Sequence, residues 1–211
     1  MQEFQRRFIE LAVARQALLF GRFELKSGRI SPYFFNAGRF SDGHSIALLG
    51  QCYAAAITAS KIDFDFLFGP AYKGIPLLVT TAIALAERHG RNLPWCFDRK
   101  EAKAHGEGGI WVGAPPLGRA LIIDDVITAG TAIRQSCARL AAAGAAVAGV
   151  VLGLDRRERG RGADSATGEL ARELGVPVIS IVDIGHIIEY LEAGAKIEAE
   201  AVRQYRRDYG V

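Results

Sequence analysis

Residues 121–136 read LIIDDVITAGTAIRQS, and the fold is decided by this stretch. The apolar run at 120–123 has the length and character of a buried strand, two adjacent acids end it, and Thr128-Ala129-Gly130-Thr131 leads into a helical pattern that begins near Ala132. A strand, a small-residue loop and a helix in that order make a phosphate cradle. Small hydroxylated residues let backbone N–H groups converge on a concave nest, and the positive end of the following helix dipole favours an anion there. Asp124 and Asp125 stand at the rim of that nest. An acidic pair in this place suits either a ribose diol, whose hydroxyls donate to carboxylates, or a hydrated Mg²⁺ held through substrate oxygens.

Working outward, the pattern repeats. Residues 43–60 read as a helix, 64–68 as a buried strand, 74–89 as a helix and 93–98 as a strand. Strands at 110–112, 119–123, 147–154 and 177–182 follow, with helices at 131–143 and 165–174, and two helical stretches at 185–193 and about 195–208 close the chain. Short strands alternating with helices predict an α/β fold with a central parallel sheet and right-handed crossovers. The amino-terminal part differs. Residues 2–20 place Phe4, Phe8, Leu11, Ala12, Leu18 and Leu19 near one face at helical spacing, which predicts one amphipathic helix. Residues 22–40 are punctuated by Gly28, Pro32 and Gly38 into short extended pieces, which predicts a hairpin-like hood. Phe34 and Phe35 point to opposite faces of such a strand, so the pair is either two core rings or one anchor and one cover for a flat ligand.

Ligands of such sheets bind beyond the carboxyl ends of the strands, and several of those ends carry unusual chemistry. Gly69-Pro70-Ala71-Tyr72-Lys73-Gly74 is a tight loop whose lysine sits at a helix start, against the dipole, unless an anion is present. The run from Asp98 to Gly109 carries Arg99, Lys100, Lys103 and His105 ahead of a glycine-rich tail. Alone, it would be a solvated face; beside a phosphate nest, it has the make-up of a mobile basic lid over about 99–109. His105 is placed as a proton donor, whereas His44, His89 and His186 occupy ordinary surface or core positions. Arg156, just after the strand at 147–154, has the geometry to hold a planar carboxylate or carbonyl.

Composition narrows the remaining classes. A chain of 211 residues, half of them apolar and 23% charged, suits a single folded domain over 1–211 and excludes disorder. A net charge of +3 without aromatic-laced basic blocks gives no nucleic-acid footprint. Cys52, Cys96 and Cys137 lie far apart in apolar patterns and read as buried free thiols of a reducing compartment, without metal-ligand spacing. The amino terminus lacks a signal-peptide pattern and no segment is apolar for the length of a bilayer, so a cytoplasmic protein with no membrane partner is expected.

Taken together, ELKSGRISPYFFNAGRF, FGPAYKGIPL, FDRKEAKAHGEGG, LIIDDVITAGTA and LDRRERGRG resemble, in order and spacing, the motifs of orotate phosphoribosyltransferases, a branch of the type I phosphoribosyltransferases. The resemblance implies transfer of the 5-phosphoribosyl group from 5-phosphoribosyl-1-pyrophosphate (PRPP) to orotate, with Mg²⁺ as cofactor carried by PRPP and water rather than by protein ligands. It places Lys26, Tyr72, Lys73, Arg99, Lys100, Lys103 and His105 on PRPP, with Asp124, Asp125, Val126, Ile127, Thr128, Ala129, Gly130, Thr131 and Ala132 around its ribose 5-phosphate. Lys26, Phe34, Phe35, Thr128 and Arg156 would meet orotate; Lys103, His105, Lys73 and Asp125 would form the catalytic set. It further implies a cis non-proline peptide in the Tyr72-Lys73 loop and a homodimer. Lys100 would then serve its own site, and Arg99, Lys103 and His105 the partner's. The hood would comprise mainly 20–40 with carboxyl-terminal elements. Ala104 departs from the acid that many relatives carry there, making the lid more basic. A purine-base transferase and a PRPP-sensing regulator without turnover are the competing readings.

Overall fold

The computed structural model describes all residues except Lys26, 104–108, Thr128, Ala129, Arg161 and Ala163, and the side chains of Ala102 and Lys103. Helix α1 (Glu3–Ala14) leads into a hairpin of β1 (Leu18–Glu24) and β2 (Ile30–Phe35). There follow α2 (Gly43–Ser60), β3 (Phe66–Phe68), α3 (Gly74–His89), β4 (Trp95–Lys103), β5 (Gly109–Gly113), β6 (Arg119–Val126), α4 (Thr131–Ala142), β7 (Ala146–Asp155), α5 (Ala166–Leu174), β8 (Val178–Asp183), α6 (Ile184–Ala193) and α7 (Glu198–Tyr209).

The larger sheet has six strands in the order β5-β4-β3-β6-β7-β8. Its pairings are parallel except β4 with β5, which is antiparallel, so the sheet is mixed at one edge rather than wholly parallel. From β3 the chain moves first outward to β4 and later back past β3 to β6. The strand order therefore reverses at β3 and β6, which is where a crevice opens beyond the carboxyl ends of such sheets. Strand alternation divides the core in two. Leu67, Leu121, Ile123 and Val151 join α1, α2, α3 and α6 in the larger cluster, whereas Phe66, Phe68, Ile122 and Leu152 pack with Ile133 and Leu140 of α4 and Leu170 of α5 in the smaller. Each fully buried Phe or Leu contributes roughly 2–3 kcal/mol, so both faces of the sheet are held by burial.

Several elements differ from expectation. The helix over 2–20 stops at Ala14 because Gln16 adopts a left-handed conformation (φ 55°). Leu18 and Leu19 then pair with Phe35 and Phe34 in the hood hairpin, so their apolar character serves a strand. Asp124 and Asp125 do not end their strand; pairing with β7 continues to Val126 opposite Leu154. The strand expected at 93–98 runs on to Lys103, paired across to Trp111 and Gly109, because an edge hairpin needs no apolar alternation. Arg99 to Lys103 and Gly109 are thus the arms of a hairpin, and the loop between lies outside the described residues. Asp98, at the head of that charged run, is 2% exposed and paired with Arg139 of α4, so it is a buried structural anchor. Cys52 and Cys96 are buried, but Cys137 is only half-buried, and all three are free thiols.

The hood hairpin lies against the carboxyl-terminal helix: Tyr33 and Tyr205 meet edge to face, ring centroids 6.1 Å apart, and Arg29 stands 5.2 Å from the Tyr209 ring.

Candidate active site

β3, β6 and β7 run parallel, so their carboxyl ends face one edge of the sheet: Val126 pairs with Leu154 near the ends of β6 and β7, and β3 stops earlier, at Phe68 opposite Ile122. Three loops therefore leave one edge of the sheet together. The first runs from Gly69 into α3 and contains a cis peptide between Ala71 and Tyr72, as the resemblance implied. Its glycines are required by close approach. A Cβ on Gly69 would stand 2.5 Å from the Gly74 carbonyl oxygen, and one on Gly74 would stand 2.7 Å from Pro70 Cδ. Lys73 occupies the N-cap position of α3 with no side-chain cap bond.

The second loop leaves β6. On the strand period, Asp125 belongs to the face of Leu121 and Ile123, which is the face α3 covers, and Lys73 Nζ lies 3.2 Å from Asp125 Oδ2. The anion that the lysine required is supplied in part by the protein itself. Asp125 is 7% exposed while the lysine side chain is 66% exposed, so the pair contributes no more than about 1 kcal/mol and leaves the ammonium open to a ligand. Asp124 and Asp125 fold back on the chain: Asp125 N–H donates to Asp124 Oδ1 at 2.9 Å, and Val126 N–H to Asp125 Oδ1 at 2.8 Å. Beneath them Tyr53 of α2, fully buried, donates its hydroxyl to the Asp124 carbonyl at 2.8 Å. Burial and then repulsion by Asp125 push the Asp124 carboxyl up to about 6. Asp124 is therefore short of positive partners, a state that hydroxyl donors or a cation would relieve. Downstream, Gly130 holds φ 69°, a left-handed conformation that glycine adopts without strain, and it opens α4 at Thr131 and Ala132 with no side-chain cap. The uncapped first turn offers N–H groups to an anion.

The third loop leaves β7 with Arg156. Its Nε donates to Glu158 Oε1 at 2.6 Å and its Nη2 to Ser31 Oγ at 2.9 Å, and the guanidinium carbon lies 4.2 Å from the centre of the Tyr33 ring. Phe34 is exposed and stacked on Phe23, whereas Phe35 packs against Phe8 and Phe40. The pair divides as strand alternation requires, one ring open and one anchored. From the lid arms, Lys100 Nζ stands 4.5 Å from the centre of the Tyr72 ring, and Arg99 Nη1 donates across the hairpin to the Gly109 carbonyl at 3.4 Å. Lys26, His105, Thr128, Ala129 and the Lys103 side chain lie outside the described residues.

A cavity of about 420 Å³ adjoins Lys73, lined by Phe40, Ile46, Pro76 and Leu77 among others. A depression of about 450 Å³ at Asn92, Leu93, Pro94 and Trp95 sits at the amino end of β4, away from the acids. The chemistry favours the former region, since no charged group lines the latter. Among the described residues no group of three or more His, Cys, Asp or Glu side chains converges on one point, and no helix is long and apolar enough to cross a membrane. Tyr53, Ser31, Glu158 and Tyr205 were not picked out from sequence. Their partners lie far off in the chain, 125 residues in the case of Ser31 and Arg156, and no local pattern announces them.

An open α/β sheet with a phosphate-type loop after β6, a lysine loop after β3 and a hood hairpin that meets Arg156 after β7 defines a type I phosphoribosyltransferase domain. The model of the phosphoribosyl transferase domain matches residues 37–168. Over its whole length the chain is 59% identical to orotate phosphoribosyltransferase of Pseudomonas aeruginosa, covering all of that protein. It is 58% identical to that of Cellvibrio japonicus, covering 99% of it. The crystal structure of orotate phosphoribosyltransferase from Francisella tularensis superposes with a TM-score of 0.87 at 43% identity, covering 97% of this chain and 99% of that one. The chain belongs to the orotate phosphoribosyltransferase family.

Proposed function

We propose that the protein transfers the 5-phosphoribosyl group of PRPP to N1 of orotate, giving orotidine 5′-monophosphate and pyrophosphate in pyrimidine nucleotide synthesis. One observation carries this reading: a phosphate end (Lys73, the Asp124-Asp125 pair and the uncapped start of α4) and a planar-anion end (Arg156 under the hood) leave the same edge of one sheet.

N1 of orotate attacks C1 of the ribose as pyrophosphate leaves from the opposite face, the N1 proton passing to the departing pyrophosphate or to water, so the configuration inverts and positive charge gathers on the ring in an oxocarbenium-like transition state. Asp124 and Asp125 accept from the ribose hydroxyls and orient the ring. Val126, Ile127, Thr128, Ala129, Gly130, Thr131 and Ala132 cradle the 5-phosphate. Lys73, with Tyr72 and Lys26, meets the pyrophosphate, whose developing charge Lys103 and His105 also stabilise. The base is held by Arg156, Lys26, Phe34, Phe35 and Thr128. A Mg²⁺ that arrives on PRPP fits the donor set, because this ion keeps much of its water and takes few carboxylates, and it would neutralise the departing pyrophosphate. Closure of the lid excludes water, the competing nucleophile.

The direct check is orotate consumption with PRPP and Mg²⁺. Turnover of hypoxanthine, adenine or xanthine with none of orotate would overturn the assignment. We also infer a cytoplasmic homodimer in which Lys100 serves its own site while Arg99, Lys103 and His105 reach the partner's; the Lys100–Tyr72 contact within one chain supports the first half of that division. Lys103→Ala and Asp125→Asn subunits, each nearly inactive alone, should regain roughly a quarter of wild-type activity when mixed, since one composite site in a heterodimer keeps both groups. Confirmed heterodimers without any recovery would rule out shared sites.

A further inference from the structure

We infer that Glu158 is the positioning residue of the base-binding arginine, setting which edge of Arg156 meets the base. The inference rests on Arg156 holding orotate, as proposed above.

The guanidinium is constrained in three directions. Along its side edge, Nε donates to Glu158 Oε1 at 2.6 Å. At Nη2 it donates to Ser31 Oγ at 2.9 Å and lies 3.4 Å from the Tyr205 hydroxyl oxygen. One face is covered by the Tyr33 ring at 4.2 Å. Glu158 is itself held. Its Oε1 also accepts from the Tyr205 hydroxyl at 2.7 Å, and its Oε2 accepts from Arg29 Nη1 at 3.3 Å. Burial, then the bond to Glu158, push the Tyr205 hydroxyl up to about 12, so it remains a donor. Ser31 is fully buried and turns its own hydroxyl proton to the Tyr33 carbonyl at 2.6 Å, leaving its oxygen lone pair for the arginine.

Nη1 is what this arrangement leaves over: among the described residues it has no hydrogen-bond partner. A planar base is therefore met by Nη1, since the Nε edge is taken by Glu158 and Nη2 by Ser31 and Tyr205. Glu158 is flanked by two arginines, Arg156 on Oε1 and Arg29 on Oε2. A mere tether between hood and α7 would need only the contacts of Glu158 to Arg29 and Tyr205; the shortest contact goes instead to Arg156. The arginine and glutamate side chains are 13% and 16% exposed, so solvent offers little competition for either.

The test is steady-state kinetics of the full-length chain with both substrates varied. Glu158→Ala should raise the orotate KM about tenfold, with kcat and the PRPP KM within about twofold. Glu158→Gln, whose amide oxygen still accepts from Nε, should recover most of that loss. In an Arg156→Ala background, Glu158→Ala should add no further change to the orotate KM. If Arg156→Ala raises the orotate KM and Glu158→Ala does not, the positioning role falls. If Arg156→Ala itself leaves it unchanged, the base-binding reading falls instead. A Gln variant as impaired as the Ala variant would point to charge alone, and a rise in both KM values with a lowered melting temperature to a tether; either overturns the inference. Should Glu158→Ala not fold, Tyr205→Phe serves: a two- to threefold rise in orotate KM alone is expected, and no rise counts against.

Discussion

The two ends of the site are built on opposite plans. At the phosphate end, Lys73 leans out with two thirds of its side chain exposed and, among the described residues, Asp125 as its one partner, and Gly130 at the N-cap of α4 supplies no side-chain cap. At the base end, Arg156 is mostly buried and held by Glu158, Ser31, Tyr205 and the face of Tyr33. The first end is left incomplete, so that a polyanion supplies the missing contacts; the second has its arginine fixed before any ligand arrives. A ligand with several phosphates can organise flexible cations through strong, forgiving electrostatics. A flat base with one carboxylate cannot, and requires a group already aimed at it.

The contrast fails if substitutions at the two ends have the same signature. The largest effect is expected at Lys73. Lys73→Ala should lower kcat/KM for PRPP by about a hundredfold or more, since a cation on the leaving group is lost where charge develops. Its melting temperature should fall by only about 2–4 °C, because the lysine end of the pair is open to solvent and Asp125 keeps the Val126 N–H as a donor, so about 1 kcal/mol is lost. A melting drop as large as that of a core substitution would show that the phosphate end, too, is prebuilt.

Arg156→Ala should show the opposite balance. The orotate KM should rise roughly thirtyfold while the PRPP KM stays near wild type. Chemical denaturation should also reveal a loss of about 2–3 kcal/mol, because Glu158 is left partly buried without its closest partner. An orotate KM that rises without any loss of stability would show that the network is looser than its distances indicate.

The difference in construction also explains what could be read from the sequence. The phosphate end is local: the strand, the acids, the small-residue loop and the helix start follow one another within 121–136, and α2 and α3 fall where periodicity placed them, at 43–60 and 74–89. The base end is not. Arg156 stands out as a charge after a strand, yet Tyr205 reaches Glu158 across 47 residues and Ser31 reaches Arg156 across 125. Both strands of the β4–β5 hairpin were legible, at 93–98 and 110–112, but the run of β4 on to Lys103 was not: residues 99–103 carry charges rather than an apolar alternation, since an edge hairpin has less to bury. Leu18 and Leu19 misled in the reverse sense: they sit at helical spacing from Leu11, but a left-handed Gln16 had already ended the helix.

The smallest expected effect sharpens the comparison through pH. Asp124 titrates near 6 in the folded protein, raised by burial and by Asp125, against 3.8 as its ordinary value. A raised pKa means that this group favours the folded state fully below its unfolded value and that the contribution is lost as pH rises from about 4 through 6, leaving a cost of up to about 3 kcal/mol at pH 8. Asp124→Asn keeps the shape and removes the charge, so it should stabilise the ligand-free protein at pH 8, by about 1–3 kcal/mol in urea unfolding, and change little at pH 4. Function should move the other way. If the carboxylate must be ionised to accept from the ribose hydroxyls, PRPP binding weakens by about tenfold from pH 8 to 5, as the proton competes with the ligand. The phosphates of PRPP titrate close by, so the decisive quantity is the difference between wild type and Asp124→Asn, whose PRPP affinity should be lower at pH 8 and flatter with pH. Orotate binding at Arg156, which keeps its proton throughout, should not share that difference. Parallel pH profiles for wild type and Asn variant would mean that the acid pair is already neutralised without ligand, and the phosphate end would then be as complete as the base end.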